Sequence, residues 1–460
     1  MTADRLGNPV TLADPVALAA WDRTIENVLS HAAATPASLA ETLDRAPDFA
    51  LGQAARGIML MTLARGKLRP AAAAALAAAR ASMAERPVTA REAAYADALA
   101  ACLDGRPGVA AIRLEGVLIA HPHDALALKL AHGIRFMMGD RDGMLAAIEA
   151  RAGAFTAETP LAGYVMGCRA FALEEHGRFA EAERHGRQAV ALAPRDAWGR
   201  HAVAHVMEMT GRVGEGIEFL SRSTAAWAHC NNFGTHMVWH LALMHLEAGA
   251  VDKVLALYDT GIRAERTDDY RDIANAASLL ARLELDGVDV GDRWEEVGAI
   301  AARRVEDRQL VFADLHYLLA LLRSGRRDAA GRLARAVGEG DAGEYDGAVA
   351  RLIGVPAARG LIAWQDGDPA EAARLLNAAH DDMVLVGGSN AQRDIFEQIR
   401  IECLVAAGRL DEAATAAERR MAARGSQNRV ARRILEACRR GPVAVIAAAA
   451  LAGHRVPAHH

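Results

Sequence analysis

The 460-residue chain has few cysteines, prolines and aromatic side chains, and each shortage narrows the class of protein it encodes. Its five cysteines, Cys102, Cys168, Cys230, Cys403 and Cys438, are odd in number and widely spaced, with no Cys-x-x-Cys pair. They spell neither a zinc knuckle nor a redox motif, and they fit a reducing cytoplasm. An excess of one charge is also missing: 53 Lys and Arg stand against 58 Asp and Glu without a long run of either sign, which argues against nucleic acid as the main partner. The strongest apolar run, 444–452, is about half of the roughly 20 residues that a membrane helix needs. The opening Met1-Thr2-Ala3-Asp4 lacks the basic and then apolar pattern of a secretory signal, so a cytoplasmic protein without membrane contact is expected. With 14 prolines, 52% apolar and 24% charged residues, the composition is that of a folded chain rather than a disordered or collagen-like one. Aromatics make up 5% while alanine is abundant, which suits closely packed helices and suits sheets poorly, so an all-α fold is expected.

What the sequence does contain is a period. Glycines in turn-like contexts recur at Gly66, Gly105, Gly139, Gly177, Gly211, Gly249, Gly287, Gly325, Gly367 and Gly408, separated by 34 to 42 residues. Around Gly177 the unit reads as a helix ending in Glu174-Glu175-His176, a Gly177-Arg178 turn, and a second helix carrying Ala182 and Ala189 before Pro194. Glycine permits a left-handed helix cap, alanine permits close helix approach, and proline ends the second helix. Ala110 and Pro122 follow Gly105 at similar offsets, as do Ala372 and Ala379 after Gly367 and Ala413 after Gly408. Such units bury their apolar faces only by stacking, so the expected architecture is a tetratricopeptide-repeat-like α-solenoid of about ten helix-turn-helix units, wound into a superhelix with a concave groove. Residues 1–50 read as an N-terminal capping segment, 51–440 as the solenoid and 441–460 as a terminal helix or tail.

Several strings are more specific than the repeat pattern. They are His201-Ala202-Val203-Ala204-His205-Val206-Met207-Glu208-Met209-Thr210-Gly211-Arg212; Trp227, Asn232, Phe233, His236, Trp239 and His240; Leu257-Tyr258-Asp259; Pro47-Asp48-Phe49; and Gly387-Gly388-Ser389-Asn390-Ala391-Gln392-Arg393-Asp394. With these the chain resembles the tetratricopeptide repeat protein 38 family over nearly its whole length. The resemblance implies a helical-repeat fold and assigns no reaction.

Chemistry-bearing residues gather in the centre of the repeat array. At 100° per residue, His201, His205 and Glu208 share an arc of about 60°, while Val203, Ala204 and Met207 form a separate apolar stripe. The three polar residues stand 10, 6 and 3 places before Gly211, on the face that lines the concave side in tetratricopeptide-like units. Glu174 stands three places before Gly177, and His236 and Trp239 stand thirteen and ten before Gly249. A pair of imidazoles at i and i+4 with a nearby carboxylate forms a two-His, one-carboxylate metal set, here expected as His205, His236 and Glu208 around a divalent zinc or iron. Without metal, His201, His205, Glu208 and His236 are candidate acid and base catalysts, with Glu174, Trp239 and His240 as ligand-binding neighbours. The same residues also fit a buried polar network between repeats.

The remaining motifs read as structural. His245 is expected to pack against its own repeat, Asp314 and His316 to share a buried hydrogen bond, and Tyr258 and Asp259 to join neighbouring repeats. A Cys230/His229 nucleophile needs a convergence that adjacency does not supply. Gly338-Glu339-Gly340-Asp341-Ala342-Gly343 spells the dinucleotide motif but follows a helix rather than a strand and carries acidic residues, so it reads as an inter-repeat loop. Ser389 and Gln392 spell a capping box, leaving Asn390, Gln392 and Arg393 to border the groove. Two functions follow: a groove binding a small molecule, through a metal or catalytically by hydrolysis or oxygen chemistry, or a non-enzymatic scaffold gripping a peptide or partner protein. Both leave room for a homo-oligomer.

Overall fold

The structure, a computed structural model, describes residues 2–339 and 345–440; the 441–460 tail, its 444–452 apolar run and most of the 338–343 loop lie outside them. The fold is an all-α, tetratricopeptide-like solenoid. Helices follow one another from Pro15–Leu29 to Arg429–Arg440, and the one sheet among the described residues is a hairpin of Thr2–Ala3 with Pro9–Val10. No described helix is long and apolar enough to cross a membrane.

The repeat glycines do what their spacing predicts. Gly105, Gly139, Gly177, Gly211, Gly249, Gly287, Gly325, Gly367 and Gly408 all have φ between 65° and 79°. At each of several turns the next residue's N–H reaches back across the cap, as in Arg178 to the Leu173 carbonyl (2.9 Å), Arg212 to Met207 (2.9 Å) and Ala250 to His245 (2.9 Å). This is the Schellman pattern, which satisfies the last carbonyls of each first helix and turns the chain into the second. Gly66 departs from the set: it opens the short turn Gly66–Leu68, and its N–H donates to Asp307 Oδ1 (3.1 Å). The small residues of the second helices permit the close packing, since a Cβ on Gly186 would lie 2.6 Å from Val203 Cγ2 and one on Gly216 would lie 2.5 Å from Met244 Sδ.

The solenoid curls back on itself. The Ala33 N–H donates to the His229 carbonyl (2.9 Å), that of Asn231 to the His31 carbonyl (2.8 Å), and Arg65 pairs with Asp268 (2.6 Å). At the other end the Asn390 N–H donates to Glu175 Oε1 (2.8 Å), and Arg393 reaches Glu175 Oε2 (3.2 Å). The concave side is thereby roofed by residues far away in sequence. The closure is tight at Gly139, where φ is 65° and a Cβ would sit 1.7 Å from the Val384 carbonyl oxygen. Gly139→Ala is therefore expected to destabilise the protein by clearly more than Gly177→Ala, which meets open space and costs only the left-handed strain of about 1–2 kcal/mol. Urea unfolding of the two variants measures the difference.

The apolar interior falls into two large blocks. One runs from Leu6 to Ala202 and the other is built from Ala64 and Trp239 through Ile434, with a small cluster around Val203, Met207 and Met244 between them. The central histidines lie at this seam.

Candidate metal centre

Two consecutive first helices, Ala197–Met209 and Phe233–Glu247, face each other at the seam. Each carries an i, i+4 histidine pair, which puts two imidazoles on one side of each helix, a turn apart. His201 and His205 from the first helix and His236 and His240 from the second point their Nε2 atoms at a common centre. His201 Nε2 lies 2.9 Å from His236 Nε2, 3.0 Å from His240 Nε2 and 2.9 Å from His205 Nε2, and His236 and His240 are 3.2 Å apart. All four ligand atoms fall within 4.8 Å of one another, and the rings are 0–8% exposed. A tetrahedral zinc with Zn–N bonds of about 2.0–2.1 Å separates its nitrogens by roughly 3.3 Å, close to these spacings.

The opposite nitrogens of three of the rings face oxygen, and His201 Nδ1 has no hydrogen-bond partner among the described residues. His240 Nδ1 bonds Glu208 Oε2 (3.0 Å), His236 Nδ1 bonds Asn275 Oδ1 (3.1 Å), and His205 Nδ1 stands 3.2 Å from Glu174 Oε2, within ion-pair range though off the line of a directed hydrogen bond. An oxygen acceptor at Nδ1 places the ring hydrogen there and leaves Nε2 as a bare lone pair. Burial, reinforced by the neighbouring imidazoles, holds His201 and His236 well below their usual pKa, and His240 is lowered to about 4, so these three rings are neutral. Burial also opposes charge on His205, but the Glu174 carboxylate outweighs it and raises that ring's pKa. His201 Nε2 has one hydrogen or one lone pair to offer and three nitrogen neighbours. A single proton cannot satisfy them all, and without a cation at the centre the remaining lone pairs repel in a medium that screens poorly.

Four of the expected residues are thus brought together, and this converging group differs from the expected set of His205, His236 and Glu208. Glu208 is not among the atoms that meet at the centre: its Oε2 is on His240 Nδ1 and its Oε1 on Arg424 (3.0 Å), so it holds the His240 ring from behind. The seven-residue separation from His201 carries it about 10.5 Å along the axis, beyond the common centre. Burial opposes its charge, but the His240 hydrogen bond and Arg424 hold its pKa below the usual range. Glu174 plays the same supporting part for His205. His240, expected as a neighbour, joins the group whose nitrogens converge and could hold a metal. Trp239, expected to wall the groove, is fully buried and stacked on His236 (centroids 5.2 Å apart, 16°) with Arg282 against its ring. The aromatic wall beside the imidazoles is instead Phe233, named above only for the family resemblance, and Trp198, which the sequence did not single out.

His201 and His236 also line a chamber of about 830 Å³ enclosed by the curled solenoid. Its walls combine Leu39, Leu60 and Phe136 with Trp198, Phe233 and Phe312, and Gln392 borders it as expected. Asn390 and Arg393 instead clamp Glu175 and line a separate polar cavity of about 730 Å³, which also reaches Glu174.

The structural readings fare unevenly. Ser389 and Gln392 form the capping box in full. Asp259 joins repeats through Arg293 (2.6 Å), whereas the buried Tyr258 hydroxyl makes no hydrogen bond among the described residues. His316 Nδ1 bonds the Phe312 carbonyl (2.7 Å) rather than Asp314, because that carbonyl lies one helical turn back on the same face. His245 is half-buried and outside the ligand group. Cys230 Sγ is 3.8 Å from His229 Nε2, and burial pushes its thiol up to about 12. Burial raises Cys102, Cys168 and Cys403 as well, so the folded protein is expected to react slowly with a disulfide reagent at pH 8 and to release all five thiols on unfolding, a contrast that absorbance at the reagent's thiolate band reports.

No family model matches the chain. Among solved structures it is similar to the tetratricopeptide repeat domain of P58(IPK), at 13% identity over 78% of this chain and 99% of that one; the TM-score of 0.22 is too low for the likeness to carry an argument.

Proposed function

We propose that this protein is a four-histidine metalloprotein in which His201, His205, His236 and His240 hold one divalent cation, zinc or iron, at the inner end of a chamber that binds an organic small molecule. One observation carries the reading: four Nε2 atoms converge while the Nδ1 atoms of three of the rings face oxygen acceptors. Imidazole suits both metals. Four neutral ligands would leave the cation's full positive charge to act as a Lewis acid or to engage oxygen, so water activation for hydrolysis and oxygen chemistry are the two reaction classes it would serve. Glu174, Glu208 and Asn275 would fix ring orientation and ligand basicity. The chamber supports a small-molecule ligand over a peptide scaffold, because about 830 Å³ falls in the range of pockets that enclose drug-sized molecules. The sequence strings at 201–212 and 387–394 support membership of the tetratricopeptide repeat protein 38 family, and five free cysteines support a cytoplasmic setting.

Elemental analysis of the purified protein tests the proposal. About one zinc or iron per chain, lost in His201→Ala/His240→Ala with the helical circular dichroism retained, is the expected result. A folded protein that takes up neither ion on titration overturns it.

A further inference from the structure

The chamber has a chemical bias of its own. Its deep wall is centred on the Trp198 ring, which packs on His201 (centroids 5.1 Å apart), His31 (5.4 Å, stacked) and His132 (5.8 Å). Lys129 projects over the same ring, its Nζ 4.5 Å from the centroid. Lys129 is 8% exposed, and among the described residues no carboxylate lies within ion-pair distance of it; its polar contact is the Cys168 thiol at 3.8 Å. Both nitrogens of His132, 4% exposed, and Nε2 of His31 are buried without a hydrogen-bond partner among the described residues. His31 also sits at φ 57°, a strained backbone that the surrounding structure must hold in place. Natural interiors seldom leave such groups unmatched; the buried Asp196 carboxylate offsets part of the Lys129 charge from beyond ion-pair distance, and the two imidazoles beside the amine keep unmatched nitrogens.

Away from this end the lining is mostly hydrocarbon, including Leu39, Leu43, Met59, Leu60, Leu63 and Phe136, with Thr35, Thr62, Arg271 and Gln392 among it. Ala33, Pro36, Ala40, Asp44, Arg56 and Asn231 are exposed lining residues, so the chamber meets solvent at a rim along the Thr35–Arg45 helix and also at Asn231, beside His31. Asp44 is the sole carboxylate among the lining residues. The chamber is therefore largely apolar, with its buried amine and unmatched imidazoles gathered on the Trp198 wall.

We propose that the ligand of the chamber is an apolar monocarboxylic acid, a hydrocarbon chain or ring system with one carboxylate, bound with the carboxylate inward on Lys129 and His132 and the hydrocarbon toward the rim. The assignment names the substrate class of the proposed metal site and rests on that reading for its catalytic meaning, but binding itself needs only the chamber. The ligand carboxylate gives Lys129 a direct ion-pair contact, which Asp196 does not make, and offers acceptors to the imidazoles, while the hydrocarbon displaces water from the leucine and methionine wall. In this orientation the carbons nearest the acid group face His201 and His236, the two metal-site histidines that line the chamber.

Isothermal titration with dodecanoate, dodecanol and dodecyltrimethylammonium, each below its aggregation concentration, tests the assignment on the wild type, on Lys129→Met and on His201→Ala/His240→Ala. Dodecanoate is expected to bind the wild type at least about tenfold more tightly than dodecanol, the scale of a charge-assisted hydrogen bond, and the cationic amphiphile more weakly than either. Lys129→Met is expected to keep its affinity for dodecanol, which shows that the chamber is intact, and to lose the preference for the acid. Equal binding of acid and alcohol by the wild type, binding of none of the three, or a preference that survives in Lys129→Met overturns the proposal. The histidine double variant separates the two claims: acid preference retained there while the wild type proves unable to take up metal leaves the ligand assignment standing and sinks the metal centre, and the converse pattern does the reverse.

Discussion

With the proposed cation bound at the seam, its removal is expected to lower the melting temperature by about 4 °C. A ligand that binds only the folded state stabilises it by RT ln(1 + [L]/Kd), about 4 kcal/mol when the free metal stands a thousandfold above its Kd. Part of the effect comes from the apo state, in which the His201 nitrogen faces three other imidazole nitrogens at 2.9–3.0 Å with too few protons to satisfy them all. His201→Ala is expected to match chelation in metal content and to become insensitive to chelator, since its Nε2 lies within 3.0 Å of all three other ligands. Differential scanning calorimetry with and without chelator, on both proteins, measures the coupling. A wild type whose melting is unmoved by chelation and by added zinc or iron points instead to a self-satisfied polar network.

The second large effect is expected far from this site. Arg91 is wholly buried and binds two wholly buried carboxylates, Asp4 through Nη1 (2.8 Å) and Asp124 through Nε (2.6 Å), while the Tyr95 hydroxyl donates to Asp124 (3.1 Å). The group pins the N-terminal hairpin to the Ala90–Leu103 helix and to the N-cap of Ala125–Met137. Burial already pushes the Asp4 carboxyl up, and Arg91 is the main influence opposing that rise. Arg91→Met leaves two buried carboxylates without a counter-charge, and breaking a buried pair in this way costs about 3–5 kcal/mol. The triple variant Asp4→Asn, Arg91→Met, Asp124→Asn is expected to recover at least half of the loss, because it removes the unpaired charges along with the cation. Urea titrations of the three proteins compare them directly. A single variant as stable as the wild type shows that water reaches the site.

The sequence discloses some parts of this molecule and hides others for identifiable reasons. The turn glycines are legible because each must take a left-handed conformation, and nine of the ten positions do. The histidine pairs are legible because i, i+4 spacing fixes a shared helix face before any packing is known. Counting from the turn glycine fails between neighbours, however. His201 and His205 lie ten and six places before Gly211, but their partners His236 and His240 lie thirteen and nine before Gly249, so the second helix meets the first with a three-residue offset. That offset moves Trp239 out of the site and brings His240 in. Asn275, Lys129, His132 and His31 arrive from other repeats, and no local pattern encodes the curl that brings them together. A second His-x-x-x-His pair one repeat downstream was the available signal for the complete set.

The placement of the four imidazoles on two consecutive repeats bears on how this architecture can change over generations. Repeat arrays grow and shrink by whole units, and duplication or loss inside either flanking block leaves both ligand-bearing helices adjacent. Only an insertion between residues 205 and 236 would part them, so the centre is tolerant of changes in array length almost everywhere except at its own junction.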